Sequence, residues 1–259
     1  MGIITKKCSS VCETHYLKLV CRSVFFLAAT VLYAVCRIVG QGELLEAEGF
    51  NSFVYVLLGL VWVAYVTDMI SRFFPSRLES IGSGKQFAKN YMPTGKTEPR
   101  LYSWKGTLAV VLSWVALNGA IGALYLTGVI DASVLVLVSL AYGVCDMICI
   151  LFFCPFQTWM MKNRCCATCR IYNWDFAMMF TPLAFLLLEP RFFVYSWSLL
   201  GIALVLLVRW EITRFTHPER FSRRTNACLS CASCNEKLCA HKPQLRSFIK
   251  KNKDRFKED

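Results

Sequence analysis

Apolar residues run along this chain in blocks too long and too continuous for the alternating or one-faced patterns of water-exposed elements. Five are clear: Leu19–Val39, Phe50–Ile70, Thr107–Val129, Ser133–Pro155 and Phe192–Trp210. Each approaches or exceeds the roughly 20 residues a helix needs to cross a bilayer. A sixth block, Phe176–Leu188, is short and contains Thr181-Pro182. A helix of that length rises only about 20 Å against a hydrocarbon core of about 30 Å. It is therefore expected to start earlier, near Tyr172, or to break at Pro182 and enter at an angle. Glu189-Pro190-Arg191 reads as the tight turn into the last helix. The longest polar connection, residues 72–104, predicts a short amphipathic segment and then a Pro/Gly-rich turn region.

Charge arranges these blocks. Lys and Arg gather in short cytoplasmic connections. With six spans and both termini inside, 26 of the 29 Lys and Arg lie on the inner side. The outer connections then hold Glu43, Glu46, Glu48, Asp131 and Glu189, against Arg191 alone. Five spans would strand the basic tail from Arg209 onward on the wrong side. The pattern thus predicts an all-α integral protein of the cell (cytoplasmic) membrane. Residues 1–18 form an inner tail, 19–210 a six-helix transmembrane domain, and 211–259 a basic cytoplasmic tail. Its inner connections are 72–104 and 156–174. The segment MGIITKKCSSVCETHYLK lacks the short apolar core and small-residue cleavage site of a secretory leader, so the first block is expected to stay in place. Composition agrees: 56% of residues are hydrophobic and mean hydropathy is +0.44. The net charge of +12 follows from topology and gives no reason to expect nucleic acid.

Cysteine supplies the candidate chemistry. NACLSCASCNEKLCAHK carries Cys228, Cys231, Cys234 and Cys239, with His241 two residues on, and NRCCATCR carries Cys165, Cys166 and Cys169. C-x2-C steps are metal-ligand spacings, and a reducing compartment favours metal or redox chemistry over disulfides. Because Tyr172 and Trp210 bracket the last hairpin, both clusters are expected on one surface. Two C-x2-C knuckles, Cys166/Cys169 and Cys228/Cys231, would satisfy structural zinc. The tail run also resembles the bacterial ferredoxin run over three ligands. It differs in having four residues before the fourth Cys, and Ala240 where proline would stand. An iron–sulfur cluster on Cys228, Cys231, Cys234 and Cys166 or Cys169 is the leading expectation, with zinc the alternative. The implied function is electron transfer from a soluble donor to a membrane acceptor such as a quinone. A zinc-stabilised transporter or scaffold is the other reading.

Within the membrane, Asp146 lies in YGVCDMICILFFCP, and ionisable residues there are costly and usually functional. Cys145 and Cys149 share its helix, so the three form a possible intramembrane site for a soft cation. Alternatively Asp146 simply pairs with Arg22. Asn118 is a candidate for a hydrogen bond between helices. The three histidines, His15, His217 and His241, are expected outside the spans, which removes an intramembrane bis-His haem. No G-x-S-x-G, H-E-x-x-H or G-x-G-x-x-G motif is present.

Overall fold

A computed structural model describes residues 10–39, 51–74, 82–99, 101, 104–163, 165, 168–230 and 242–251. Its helices are α1 (Ser10–Ile38), α2 (Asn51–Ser71), α3 (Trp104–Leu126), α4 (Ala132–Leu151), α5 (Asp175–Met179), α6 (Phe193–Thr216) and α7 (Pro243–Lys251). No strand occurs among the described residues. Five helices, α1 to α4 and α6, are long and apolar enough to cross a membrane. Their outer faces carry continuous apolar stripes, such as Leu17, Val20, Val24, Leu27 and Val31 on α1 and Phe53, Val56, Leu60 and Val63 on α2. Stripes of that extent have no stable place in water, and lipid accounts for them.

Helix α1 starts well before the apolar block, with His15 buried and Lys18 paired to α2. His15 therefore lies inside a membrane-length helix, not in a tail as its neighbours in sequence suggest. Lys18 and Arg22 turn inward to Asp68 on α2, and Arg22 also reaches Asp146 on α4. At the opposite end, the Tyr33 hydroxyl donates to Asp131 at 2.7 Å. The other Asp131 oxygen caps α4 by accepting from the Val134 N–H at 3.0 Å. These contacts run α1 and α4 antiparallel. We call the end with Lys18, Arg22 and Arg72 the basic end.

The sixth apolar block breaks, as Pro182 predicts. Five residues of α5 give way to a 3-10 stretch, Thr181–Leu186, with Pro182 in its first turn. Proline has no N–H to give the helix ladder, so the irregular backbone follows from sequence. What the sequence does not show is its position. Phe176, Phe180, Leu183 and Leu186 are almost wholly buried, which makes this segment part of the core. Irregular backbone is tolerated at bilayer depth only where protein covers it. Trp174 Nε1 donates to Glu211 on α6, and Trp197 Nε1 donates to the Leu187 carbonyl. The segment thus runs antiparallel to the stretch of α6 between Trp197 and Glu211, about 21 Å of helical rise.

Small residues let neighbours approach this core. A Cβ at Gly122 would lie 2.1 Å from the Phe185 ring, and one at Gly143 would lie 2.2 Å from the Tyr65 hydroxyl. The Tyr65 ring meets Phe180 edge-on, with centroids 5.3 Å apart. Gly143→Ala is therefore expected to destabilise the fold by about 1–3 kcal/mol, the cost of overpacking a filled core. Thermal unfolding in detergent measures it, and adding Tyr65→Phe, which removes the clashing oxygen, should recover part of the loss.

Candidate functional site

Ionisable groups gather at the basic end in one buried cluster. Lys18 meets Asp68 at 2.6 Å, Arg22 meets Asp68 at 3.1 Å and Asp146 at 2.9 Å, and Arg72 meets Asp175 at 2.7 Å. Arg22 also donates to the Gly143 carbonyl at 3.0 Å. The Phe176 ring lies between the two guanidinium groups, 5.9 Å from Arg22 and 4.7 Å from Arg72. Asp146 is thus paired with Arg22, one of the two alternatives the sequence leaves open. His15 is buried beside this cluster, and neither ring nitrogen meets a hydrogen-bond partner among the described residues.

Asp146 also faces a cavity of about 250 Å³ at the end of α4. Thiols and thioethers line it: Cys145, Cys149, Cys154, Cys169, Met178 and Met179. Aromatic rings close its walls, with Asp175 beside Asp146 on the polar side. Cys145 and Cys149, grouped with Asp146 by sequence, do line one space with it. Cys154, Cys169 and Asp175 join them from the next connection. That convergence was hidden in sequence, because it depends on how the chain turns after Leu151.

The turn begins at Cys154-Pro155. Phe156–Met160 form one π-helical turn, closed by the Met161 N–H on the Phe156 carbonyl at 2.8 Å. Such turns are rare and gather at functional sites. The Gln157 N–H donates to Cys154 Sγ at 3.3 Å, and its side chain donates to the Asn163 carbonyl at 3.0 Å. Asn163 in turn organises the cysteine loop. Its side-chain oxygen accepts from the Cys165 N–H at 3.1 Å and from the Thr168 hydroxyl at 3.0 Å. Cys169 follows, buried. The neighbouring Cys149 thiol, the Gln157 N–H and the charge of Lys242 together hold the Cys154 thiol below its ordinary pKa.

The described start of the tail meets the loop between α2 and α3. The Asn226 side chain donates to the Lys85 and Arg220 carbonyls at 3.2 and 2.9 Å. It accepts from the Cys228 N–H at 3.1 Å. The Ala227 N–H reaches the Met92 carbonyl at 2.7 Å, and the Cys228 thiol donates to the Asn90 carbonyl at 2.8 Å. Gln86 and Asn173 join this loop to the cysteine loop at 2.8 Å. Lys242 then returns to the end of α4, buried, with its ammonium on the Cys149 carbonyl at 3.1 Å.

Of the sequence-predicted ligands, Cys165, Cys169 and Cys228 are described. Cys166, Cys231, Cys234, Cys239 and His241 lie outside the described residues. Among the described residues no three His, Cys, Asp or Glu converge to hold a metal ion. Asn118 turns to its own helix, donating to the Trp114 carbonyl at 2.9 Å instead of bridging helices. Asp68, Asp175 and Lys242 carry no motif, and only their neighbours in space mark them out. No protein-family model, curated protein or solved structure matches the chain.

Two outcomes follow. Arg22→Gln strands the Asp146 carboxylate and weakens the hold on Asp68, so it is expected to cost about 3–5 kcal/mol in detergent unfolding. Asp146→Asn, which leaves Arg22 paired with Asp68, should cost less. Asn226→Ala leaves buried carbonyls and N–H groups without partners, at about 1–3 kcal/mol. Its readout is faster maleimide labelling of Cys228, with labelling of buried Cys36 on α1 unchanged.

Proposed function

We propose that this protein is a six-crossing membrane metalloprotein whose basic end faces the cytoplasm and carries a cysteine-ligated centre. It passes electrons from a soluble donor to a membrane acceptor of the quinone class. The observation that carries the reading is the anchoring of the tail on both sides of its cysteine run. Asn226 holds it before the run, and Lys242 holds it after. Both anchors sit at the end that also bears Cys165 and Cys169. Six crossings follow from counting the broken segment, which runs antiparallel to α6, together with the five long helices. An even number keeps the basic tail with the other basic connections.

The donor set fits a thiolate-bound metal. Cys228, Cys231 and Cys234, with Cys166 or Cys169, would hold an iron–sulfur cluster, and His241 and Cys239 supply further ligands. Such a cluster supplies one-electron transfer at a potential set by charge, hydrogen bonds and exposure. The chain provides that setting. Arg170, Arg214 and Lys242 lie around the loop and offset the negative charge of bound thiolates. Arg170 forks onto Glu211, which also takes the Trp174 indole, so the loop starts from a fixed base. Trp210 and Phe221 pack edge-on, both buried.

Zinc is the second reading, favoured by the clamp the tail makes on the loop between α2 and α3 through Asn226. A zinc tetrathiolate would complete that clamp in a non-enzymatic transporter or scaffold. Anaerobic purification in detergent, with a visible spectrum and metal assay, separates the two. Broad absorption near roughly 400 nm with iron and acid-labile sulfide is the expected result, and Cys169→Ser should diminish it. A colourless protein with stoichiometric zinc would establish the clamp instead. A metal-free protein, unchanged in stability by Cys169→Ser and Cys231→Ser, would sink both.

A further inference from the structure

We propose that Cys149 and Cys154 form a redox-active dithiol that reduces a quinone-type acceptor seated in the cavity at the end of α4. Both sulfurs line the one cavity, five residues apart across the end of α4. Cys154 has what a reactive cysteine needs. Its sulfur accepts the Gln157 N–H at 3.3 Å, and the buried Lys242 ammonium lies within electrostatic reach. These groups favour the thiolate, the nucleophilic form. Cys149, lining the same cavity, is the thiol that resolves it. Neither residue belongs to the metal-ligand set proposed above.

The cavity fits a planar ring. Trp114, Tyr142, Phe156 and Tyr172 form its walls, with the Trp114 and Tyr142 rings 4.7 Å apart. A volume of about 250 Å³ lies below the usual range for a drug-sized ligand, and suits a head group more than a whole lipid. Cys145, on the rim, is exposed on the apolar surface of α4, so an isoprenoid chain can leave the cavity toward lipid. The Tyr142 hydroxyl is buried and has no hydrogen-bond partner among the described residues. A buried hydroxyl without a partner is an exception that asks for one, and a quinone carbonyl would supply it.

The step balances. The Cys149 and Cys154 sulfurs join in one S–S bond, releasing two electrons and the Cys149 proton. The quinone takes both electrons and that proton, with a second proton from water at the basic end, and its carbonyl oxygens become hydroxyls. A dithiol reductant at the basic end resets the pair by exchange. This inference shares the acceptor class with the proposed electron-transfer function but needs no metal.

The full chain in detergent, reduced and freed of reductant under argon, is mixed with decyl-ubiquinone. About one quinol per protein is expected, as for a two-electron thiol couple, with mass spectrometry finding the Cys149 and Cys154 peptides joined. Cys154→Ser should lose most of the quinol yield while keeping the metal content of the parent. Tyr142→Phe should raise the quinone concentration for half-oxidation several-fold and leave oxidation by diamide unchanged. The proposal is overturned if the quinone stays unreduced, or if quinol forms while Cys149 and Cys154 both remain alkylatable. In the latter case the electrons come from another centre, and the metal assay says whether it is the cluster. Mapping on the intact protein decides the matter even if a variant fails to fold.

Discussion

Arg22 is buried against the Tyr65 and Phe176 rings, and the stacking of the bundle follows from how its charge is satisfied. Removing a guanidinium from water costs several kcal/mol unless geometry repays it. Here two carboxylates on two different helices, one backbone carbonyl and two aromatic faces do so. Because Asp68 stands on α2 and Asp146 on α4, pairing both fixes the height of α1 against each. Lys18 and Arg72 extend the same logic to the start of α1 and to the broken segment. Three cations then meet three carboxylates, so the cluster is neutral as a whole.

Much of this architecture is legible in sequence, because a bilayer imposes length and apolarity on anything that crosses it. The five long helices stand where the apolar blocks do, with α1 and α6 running beyond them at the basic end. Pro182 announces the break in the sixth block. The pairing of Arg22 with Asp146 could be anticipated from depth alone, since both lie toward the same end of their helices. His15 could not be placed that way. Its neighbours Glu13, Thr14 and Lys18 look like a tail until Asp68 is known to receive Lys18.

The candidate site was less legible, for a physical reason. Periodicity reports which face of a helix is apolar, but says nothing about loops that fold by side-chain hydrogen bonds. Asn163, Asn226 and Gln86 organise the cysteine loop and the tail, yet each is an unremarked amide in a polar stretch. The cavity likewise depends on a π turn after Pro155, which sets the Gln157 N–H on Cys154 and lets Cys169 approach from beyond. A one-residue change in helical register is invisible to composition. Asp146 and Asp175 are common to both regions, held by Arg22 and Arg72 and also lining the cavity.

Tyr33 and Asp131 at one end, and Arg22 and Asp146 at the other, pin α1 to α4 twice. A pair of rods fastened at two points can neither slide nor swivel past one another, so these helices move as a single strut. The connection that follows α4 is tied to this strut as well, by Phe152 edge-on to Tyr16 at 6.2 Å and by Tyr172 packed on Met147 and Ile150, and to α6 by Arg170 on Glu211. One wall of the thiol-lined cavity is therefore the strut itself, through Cys145, Asp146 and Cys149, and the facing wall, with Phe156 and Tyr172, is braced against it.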